Sequence, residues 1–399
     1  MIGKKYFNKY LKNICITAIL VLVGSNFSIA RELISRKLLF QIEKSRVIKA
    51  ANLNLNEKPV TITSAYSSRS AGGRHDFFSE GDYWWPDPSN PNGPYIRKDG
   101  ETNPENFVEH RRALIRFSKI VPTLIAAFKL THQSKYSVKA IEHLKAWFVN
   151  EETRMNPNLQ YAQAIKGVTT GRGVGIIDAI HFVEIVQSII VLEKYKQISR
   201  SDLKEIKNWF NDFLNWMNTS KNGIEERDAK NNHGTCWVMQ AAEYARFVSD
   251  EKMIQFCKEK YKKELLPNQM ALDGSFPLET ARTKPYSYSL FNLDVMTIVC
   301  RILTDEKENL MNYSLPDGRS IKTAMEFMFP FVADKSKWKF NADVMYYDLF
   351  PNRQPFLLFG ALYFNKSQYF ELWKKLEPDP TNEEVIRNFP IRQPVLWID

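Results

Sequence analysis

The chain has 399 residues, 44% apolar and 25% charged, which is globular usage and excludes disorder as its main character. Its 55 Lys and Arg against 45 Asp and Glu give a formal charge of +10, yet no run of Lys or Arg resembles a nucleic-acid-binding arm. Four cysteines are too few for a disulfide scaffold. The aromatic share of 13% is high; it suits a large core and equally a surface that grips sugar rings.

Met1 to about Ala30 reads as a secretory signal: Lys4, Lys5, Lys9 and Lys12 precede the short apolar run Ile14–Val23, and Ser28 and Ala30 supply small residues for cleavage. The run is short for a transmembrane span, with an uncleaved anchor as the alternative. The expectation is a soluble mature protein, periplasmic or secreted, without stable membrane insertion. Its charge is about +6, because the leader carries four Lys and no acid. Cys236, Cys257 and Cys300 then remain. Buried thiols are expected, with a Cys257–Cys300 pair left open.

Residues 31–60 look like a partly helical lead-in. Residues 61–105 crowd Ser, Gly, Pro, Asp and Asn around Tyr83-Trp84-Trp85-Pro86-Asp87-Pro88; a loop this long is functional or disordered, and its aromatics argue against disorder. From about 106 helical periodicity dominates. Ile141, Leu144 and Phe148 step by three and four, as do Leu203, Ile206, Phe210, Phe213 and Met217. Further helices are expected near 108–130, 174–197, 235–248, 250–265, 290–305, 318–330 and 353–375. Asn156-Pro157, Thr170-Gly171, Asn222-Gly223, Leu266-Pro267 and Leu315-Pro316 read as breakers. Strand alternation is sparse and no fixed-period repeat is visible. Helical pairs without a linker between them predict an all-α array or toroid of antiparallel helical hairpins, a single domain over 31–399.

Five constellations could carry chemistry. Asn231-Asn232-His233-Gly234 precedes a helix; an N-cap explains one Asn but not the Asn-His pair. Arg282 and Tyr286 or Tyr288 flank a proline at a loop-to-helix passage, against a plain reading of surface Arg and core Tyr. Trp84 and Trp85 could be sugar platforms beside Arg97, although adjacent Trp residues point different ways. Thr170-Gly171-Arg172-Gly173 could present amides and a guanidinium to an anion, but matches no nucleotide-binding pattern. The stretch Lys339–Asp348, with Tyr346, has core packing as its default. Metal-ligand spacing is poor, with no His-Glu-x-x-His and six scattered His; no metal and no cofactor are expected.

Taken together, Asn231-Asn232-His233, Phe276-Pro277-Leu278-Glu279-Thr280-Ala281-Arg282 and the Tyr before Ser289-Leu290-Phe291-Asn292-Leu293 resemble the alginate lyase superfamily. Gly81–Pro88 and Thr170–Gly173 look like its polysaccharide lyase family thirty-eight branch. The resemblance runs from about 60 to 305, more weakly to about 375. It implies an (α/α) toroid that cleaves uronic acid polymers by β-elimination, with an acidic polysaccharide as partner and a monomer as the expected state. By the same resemblance Asn232 and Arg282 neutralise the substrate carboxylate, His233 contributes or acts as base, and a Tyr is the acid. Tyr288 fits the family spacing to Phe291 and Leu293, although its interval from Arg282 is one residue short; Tyr286 is kept as a subsite residue. Tyr83, Trp84, Trp85, Arg97, Arg172, Asn231 and Tyr346 are the remaining substrate-contact candidates. The expected substrate is mannuronate-rich alginate. The alternatives are a lyase of β-1,4-glucuronan or another uronan, a glycan-binding protein without activity, and an inverting (α/α) glycoside hydrolase.

Overall fold

Helix α1 (Arg36–Asn54) buries Leu39, Glu43, Val47 and Ala51, a stripe at intervals of four that only an α-helix places on one face. Its apolar members lie against α2 (Glu109–Thr131), which hairpins into α3 (Ser134–Phe148) through a left-handed His132. The computed structural model describes residues 36–398, so the expected signal segment and Cys15 lie outside the described residues. The chain continues with α4 (Phe182–Lys194), α5 (Arg200–Thr219), α6 (Lys221–Arg227), α7 (Asn232–Val248), α8 (Glu251–Lys260), α9 (Leu266–Gln269) and α10 (Pro277–Thr280). It ends with α11 (Pro285–Leu303), α12 (Ile321–Ala333), α13 (Pro355–Phe364), α14 (Ser367–Lys375) and α15 (Glu383–Arg387). This is the all-α toroid of helical hairpins that the periodicity predicts. One continuous apolar core runs from Leu39 to Trp397.

Two helices form the centre. In α11 every residue but Arg301 is buried, and α7 packs along it; a helix apolar on all sides needs neighbours on all sides. Serine and aspartate caps set the outer helices: Ser199 accepts from Asp202 N, Ser220 from Gly223 N, Asp250 from Met253 N and Ser320 from Thr323 N. Pro277, Pro285 and Pro355 sit at helix starts, where a missing N–H is harmless.

Several expectations are corrected. Segment 61–105 is not structureless. Strand β1 (Phe78–Glu80) pairs in parallel with β4 (Tyr161–Ala164), and β2 (Trp84–Trp85) pairs antiparallel with β3 (Ile96–Arg97). The expected helix at 174–197 begins instead as a 3₁₀ segment, Gly173–Ala179, before α4. There the backbone presses on β4, and a Cβ at Gly175 would meet that of Ala162 at 2.5 Å. Leu266-Pro267 does not break the chain, because a π turn at Tyr261–Leu265 lets it run on into α9. The stretch 353–375 is two helices, parted by a left-handed Asn365. Cys236, Cys257 and Cys300 are free and buried, so Cys257 and Cys300 do not pair. Among the described residues no single helix is long and apolar enough to cross a membrane.

The C-terminal segment closes the body by hydrogen bonds. The buried carboxylate of Glu184 on α4 accepts from Arg392 N at 3.0 Å, Gln393 N at 2.7 Å and the Trp397 indole at 3.4 Å. Arg301 donates to the Trp397 carbonyl and Gln187 to that of Leu396. Glu184→Ala strands three buried donors, so it should lower stability by about 3 kcal/mol or more. A denaturation midpoint unchanged from the parent protein would show that the segment is held by apolar packing alone.

Candidate active site

The helix starts of α7 and α11, the β2–β3 ribbon and the β4-to-Gly173 turn converge on a cleft of about 270 Å³. Tyr83, Trp84, Arg97, Arg172, Asn231, Asn232, His233, Arg282 and Tyr288 all line it, although they lie as much as 205 residues apart in sequence.

Asn231 is the N-cap of α7 and its side chain accepts from His233 N, as the plain reading holds. Gly234 follows because a Cβ there would lie 2.2 Å from the Ala229 carbonyl oxygen; only glycine lets the incoming loop cross so close. Asn232 turns the other way. Its backbone N and its side-chain Nδ2 both donate to the buried carboxylate of Glu279 at 2.7 Å. That pair fixes the amide and leaves its second N–H and its oxygen for other partners. His233 Nδ1 lies 2.6 Å from Oε1 of Glu226, a buried carboxylate on α6. Burial pushes the Glu226 carboxyl up and the His233 ring pulls it down, with a net rise. A carboxylate at Nδ1 favours the tautomer with the proton there, so Nε2 carries the free lone pair.

Arg282 is gripped by Asp99, with Nε at 3.2 Å and a terminal nitrogen at 3.0 Å, and its guanidinium lies 4.6 Å from the centre of the Tyr288 ring. Sequence separation thus becomes a stacked pair across the proline turn. Tyr288 is 8% exposed and its hydroxyl lies 2.8 Å from that of Tyr83. Burial drives the Tyr288 phenol well above its ordinary value, Tyr83 adds to the rise, and Arg282 opposes it. The resting residue is therefore a protonated phenol.

Arg172 donates from Nε to the Gln163 carbonyl and from a terminal nitrogen to the Gln163 side-chain oxygen, both at 3.0 Å. It lies 5.8 Å from the Trp84 ring and makes no ion pair within the described structure. Burial, then Arg97, lowers its pKa. Arg97 itself is exposed and paired with Asp99 at 2.6 Å.

Three candidates stand elsewhere. Tyr286 is fully buried, donates to the Phe331 carbonyl and packs its ring on Trp338 and Tyr347; it is a core residue, corrected from a subsite contact. Each step along a helix is a rotation of about 100°, so Tyr286 and Tyr288, two steps apart on α11, face nearly opposite ways. Trp85 donates to the Glu101 carbonyl and carries Lys98 over its ring, pointing away from Trp84. Tyr346 lines a separate larger cavity of about 700 Å³. The sequence reading gives no role to Glu226, Gln163, Asp99 or Lys284 and uses Glu279 only as part of a motif. Among the described residues no three His, Cys, Asp or Glu side chains gather to hold a metal.

A family model described as alginate lyase matches residues 61–338. An alginate lyase from Bacteroides ovatus, known by crystal structure, is 31% identical; the match covers 90% of this chain and 93% of that one, with a TM-score of 0.78. Two variants of alginate lyase A1-III, both complexed with tetrasaccharide, share the fold at 14% and 12% identity. They cover 87% of this chain in each case, and 89% and 90% of their own, with TM-scores of 0.57 and 0.54. No curated protein sequence matches the chain.

Burial raises the Asp99 carboxyl, but the Arg282 hydrogen bond and charge, Thr283 and Arg97 outweigh it and hold it at about 2, below its ordinary 3.8. A depressed folded value means that Asp99 stabilises the fold fully above about pH 4 and loses that contribution as pH falls toward 2. Asp99→Asn should therefore flatten the acid side of the melting-temperature profile. An acid side that stays as steep as in the parent would place the acid sensitivity in other carboxylates.

Proposed function

The chain belongs to the alginate lyase family and is a polysaccharide lyase, and on that premise we propose that it cleaves alginate by β-elimination at 4-linked uronates, leaving an unsaturated uronate end. The observation that carries the reading is Arg172, a half-buried guanidinium with no carboxylate of its own, in the same cleft as His233 and Tyr288. Withdrawing a cation from water without a counter-charge is costly, and an anionic ligand offsets that cost. A uronate supplies one carboxylate per sugar.

The reaction breaks the C5–H and C4–O4 bonds. Loss of the C5 proton leaves a dianionic, enolate-like centre, whose charge needs donors placed in advance. In this reading Asn232, held by Glu279, and Arg282, held by Asp99, are those donors. Tyr288, a phenol at rest, gives its proton to the departing O4. Trp84 presents an aromatic face beside Arg172 for a neighbouring sugar. Tyr83, Arg97 and Asn231 complete the walls. The two segments that resemble family thirty-eight, Gly81–Pro88 and Thr170–Gly173, supply Tyr83, Trp84 and Arg172, and on that basis we assign the chain to that branch.

Block preference follows from the base. On mannuronate the C5 proton and O4 lie on the same side; there Tyr288, having lost its phenol proton to solvent as substrate binds beside Arg282, takes the C5 proton and passes it to O4, so one residue is base and then acid, the arrangement expected for mannuronate-rich alginate. A specific observation favours a second reading. His233, held at Nδ1 by Glu226, is the candidate base, and an opposite-side elimination on guluronate would use its Nε2. Glucuronate shares the C4 and C5 configuration of mannuronate, so the polymer must be tested and not inferred. Export to the periplasm or medium, where such polymers are met, is part of the proposal and rests on residues 1–30.

Ultraviolet absorbance of the protein with separate mannuronate, guluronate and glucuronan polymers tests it, because only elimination creates the unsaturated chromophore. A rise on an alginate block supports the proposal. A rise on glucuronan alone, or reducing ends without absorbance, overturns it. His233→Ala and Tyr288→Phe should each lower turnover by about 10²-fold or more at unchanged melting temperature. Arg172→Ala should raise KM about tenfold with kcat nearly kept, and a fall in kcat alone would remove Arg172 from substrate binding.

A further inference from the structure

We propose that Lys284, locked by Glu384, is a positioning residue that acts through Tyr83 to stabilise the negative charge left on Tyr288 when it protonates the leaving group. The proposal rests on the reading of Tyr288 as the acid. Lys284 immediately precedes α11 and is 1% exposed. Its Nζ donates to Glu384 Oε1 at 2.9 Å and to the Tyr83 hydroxyl at 3.5 Å, and lies 5.0 Å from the Tyr83 ring centre. The Tyr83 hydroxyl in turn lies 2.8 Å from that of Tyr288. A buried ammonium, a phenol and a second phenol thus stand in line.

As the C4–O4 bond breaks, its electron pair goes to O4 and the Tyr288 proton follows, leaving a phenolate in a site where burial opposes charge. Tyr83 can then donate its hydrogen to that phenolate while its own oxygen accepts from Lys284. Each bond in such a chain polarises the next, so the charge is spread toward a fixed cation without Lys284 losing a proton. Water restores the Tyr288 proton once product leaves. Arg282 covers the face of the Tyr288 ring, whereas Tyr83 reaches its oxygen directly and Lys284 only through Tyr83. Glu384 keeps the ammonium in place, and Arg387 braces Glu384 at 3.4 Å. Glu384 and Arg387 lie beyond the residues matched by the family model, so the C-terminal segment takes part in setting the acid.

The test is steady-state kinetics on the preferred polymer with Tyr83→Phe, Lys284→Met and the pair combined. Each single variant should lose about tenfold in kcat with KM within about twofold, and the combined variant should fall no further than either alone. Losses that multiply to about a hundredfold, a rise in KM with kcat intact, or a normal kcat in Tyr83→Phe overturns the proposal. Because Lys284→Met strands the Glu384 carboxylate, Lys284→Met/Glu384→Gln is run beside it with melting temperatures. If both unfold, the kcat of Tyr83→Phe alone decides. Tyr288→Phe separates the two readings: retained activity there removes the acid assignment itself, whereas an inactive Tyr288→Phe beside a normal Lys284→Met removes only the Lys284 role.

Discussion

The site depends on one buried charge cluster. Asp82 receives both terminal nitrogens of Arg111 on α2, at 2.9 and 2.5 Å, and lies 2.7 Å from Arg387 on α15. Arg111 also reaches Asp178, and Arg387 and Lys284 both reach Glu384. Three carboxylates thus meet three cations largely withdrawn from water, with Arg387 still 17% exposed. Burial pushes Asp82 toward the neutral form, but Arg111 and Arg387 overrule it and hold the carboxyl far below its ordinary value. Such clusters add little net stability, yet removing one partner costs several kcal/mol. They fix geometry more than they stabilise.

The geometry fixed here is that of the cleft. Asp82 directly precedes Tyr83 and Trp84, so clamping it to α2 and α15 sets where both rings project. Asn103 and Asn106 add amide donors to the Trp84 carbonyl, and Asn106 another to that of Gly81. A segment of loop composition is thereby tied to the helices by side-chain contacts. The same residues, Asp82 and Arg387, wall both the cleft and the larger cavity beside it. Three side chains of the cleft are each held by a carboxylate: buried Glu226 for His233, buried Glu279 for Asn232 and partly exposed Asp99 for Arg282. Arg172 has no such partner, and in the proposed reading a uronate carboxylate would supply its counter-charge.

Fold and motif were legible because both are local. The three-and-four spacing of Ile206, Phe210, Phe213 and Met217 specifies a buried stripe whatever lies opposite, and all four are buried. Asn231-Asn232-His233-Gly234 marks a helix start, and Phe276–Arg282 with Tyr288 marks a second. Local signals fail where a neighbour decides. Gly173–Ala179 is 3₁₀ because β4 lies against it, and Leu266-Pro267 continues because a π turn absorbs the proline. No pattern in the sequence distinguishes Glu226 from the exposed acids around it.

By itself the sequence determined the helical array and its hairpins, since these follow from periodicity, while the resemblance carried by its motifs implied residues that could remove a proton beside a carboxylate. Only the tertiary structure decided which of two tyrosines faces the cleft, because positions two apart on a helix diverge by about 200° and packing alone chooses between them. It also decided that Tyr286 is core, that Trp85 turns from Trp84, and that Glu226, Glu279, Asp99 and Glu384 stand behind the site. Those pairings join residues from distant segments, and distance along a chain carries no record of which carboxylate will meet which cation once water is excluded.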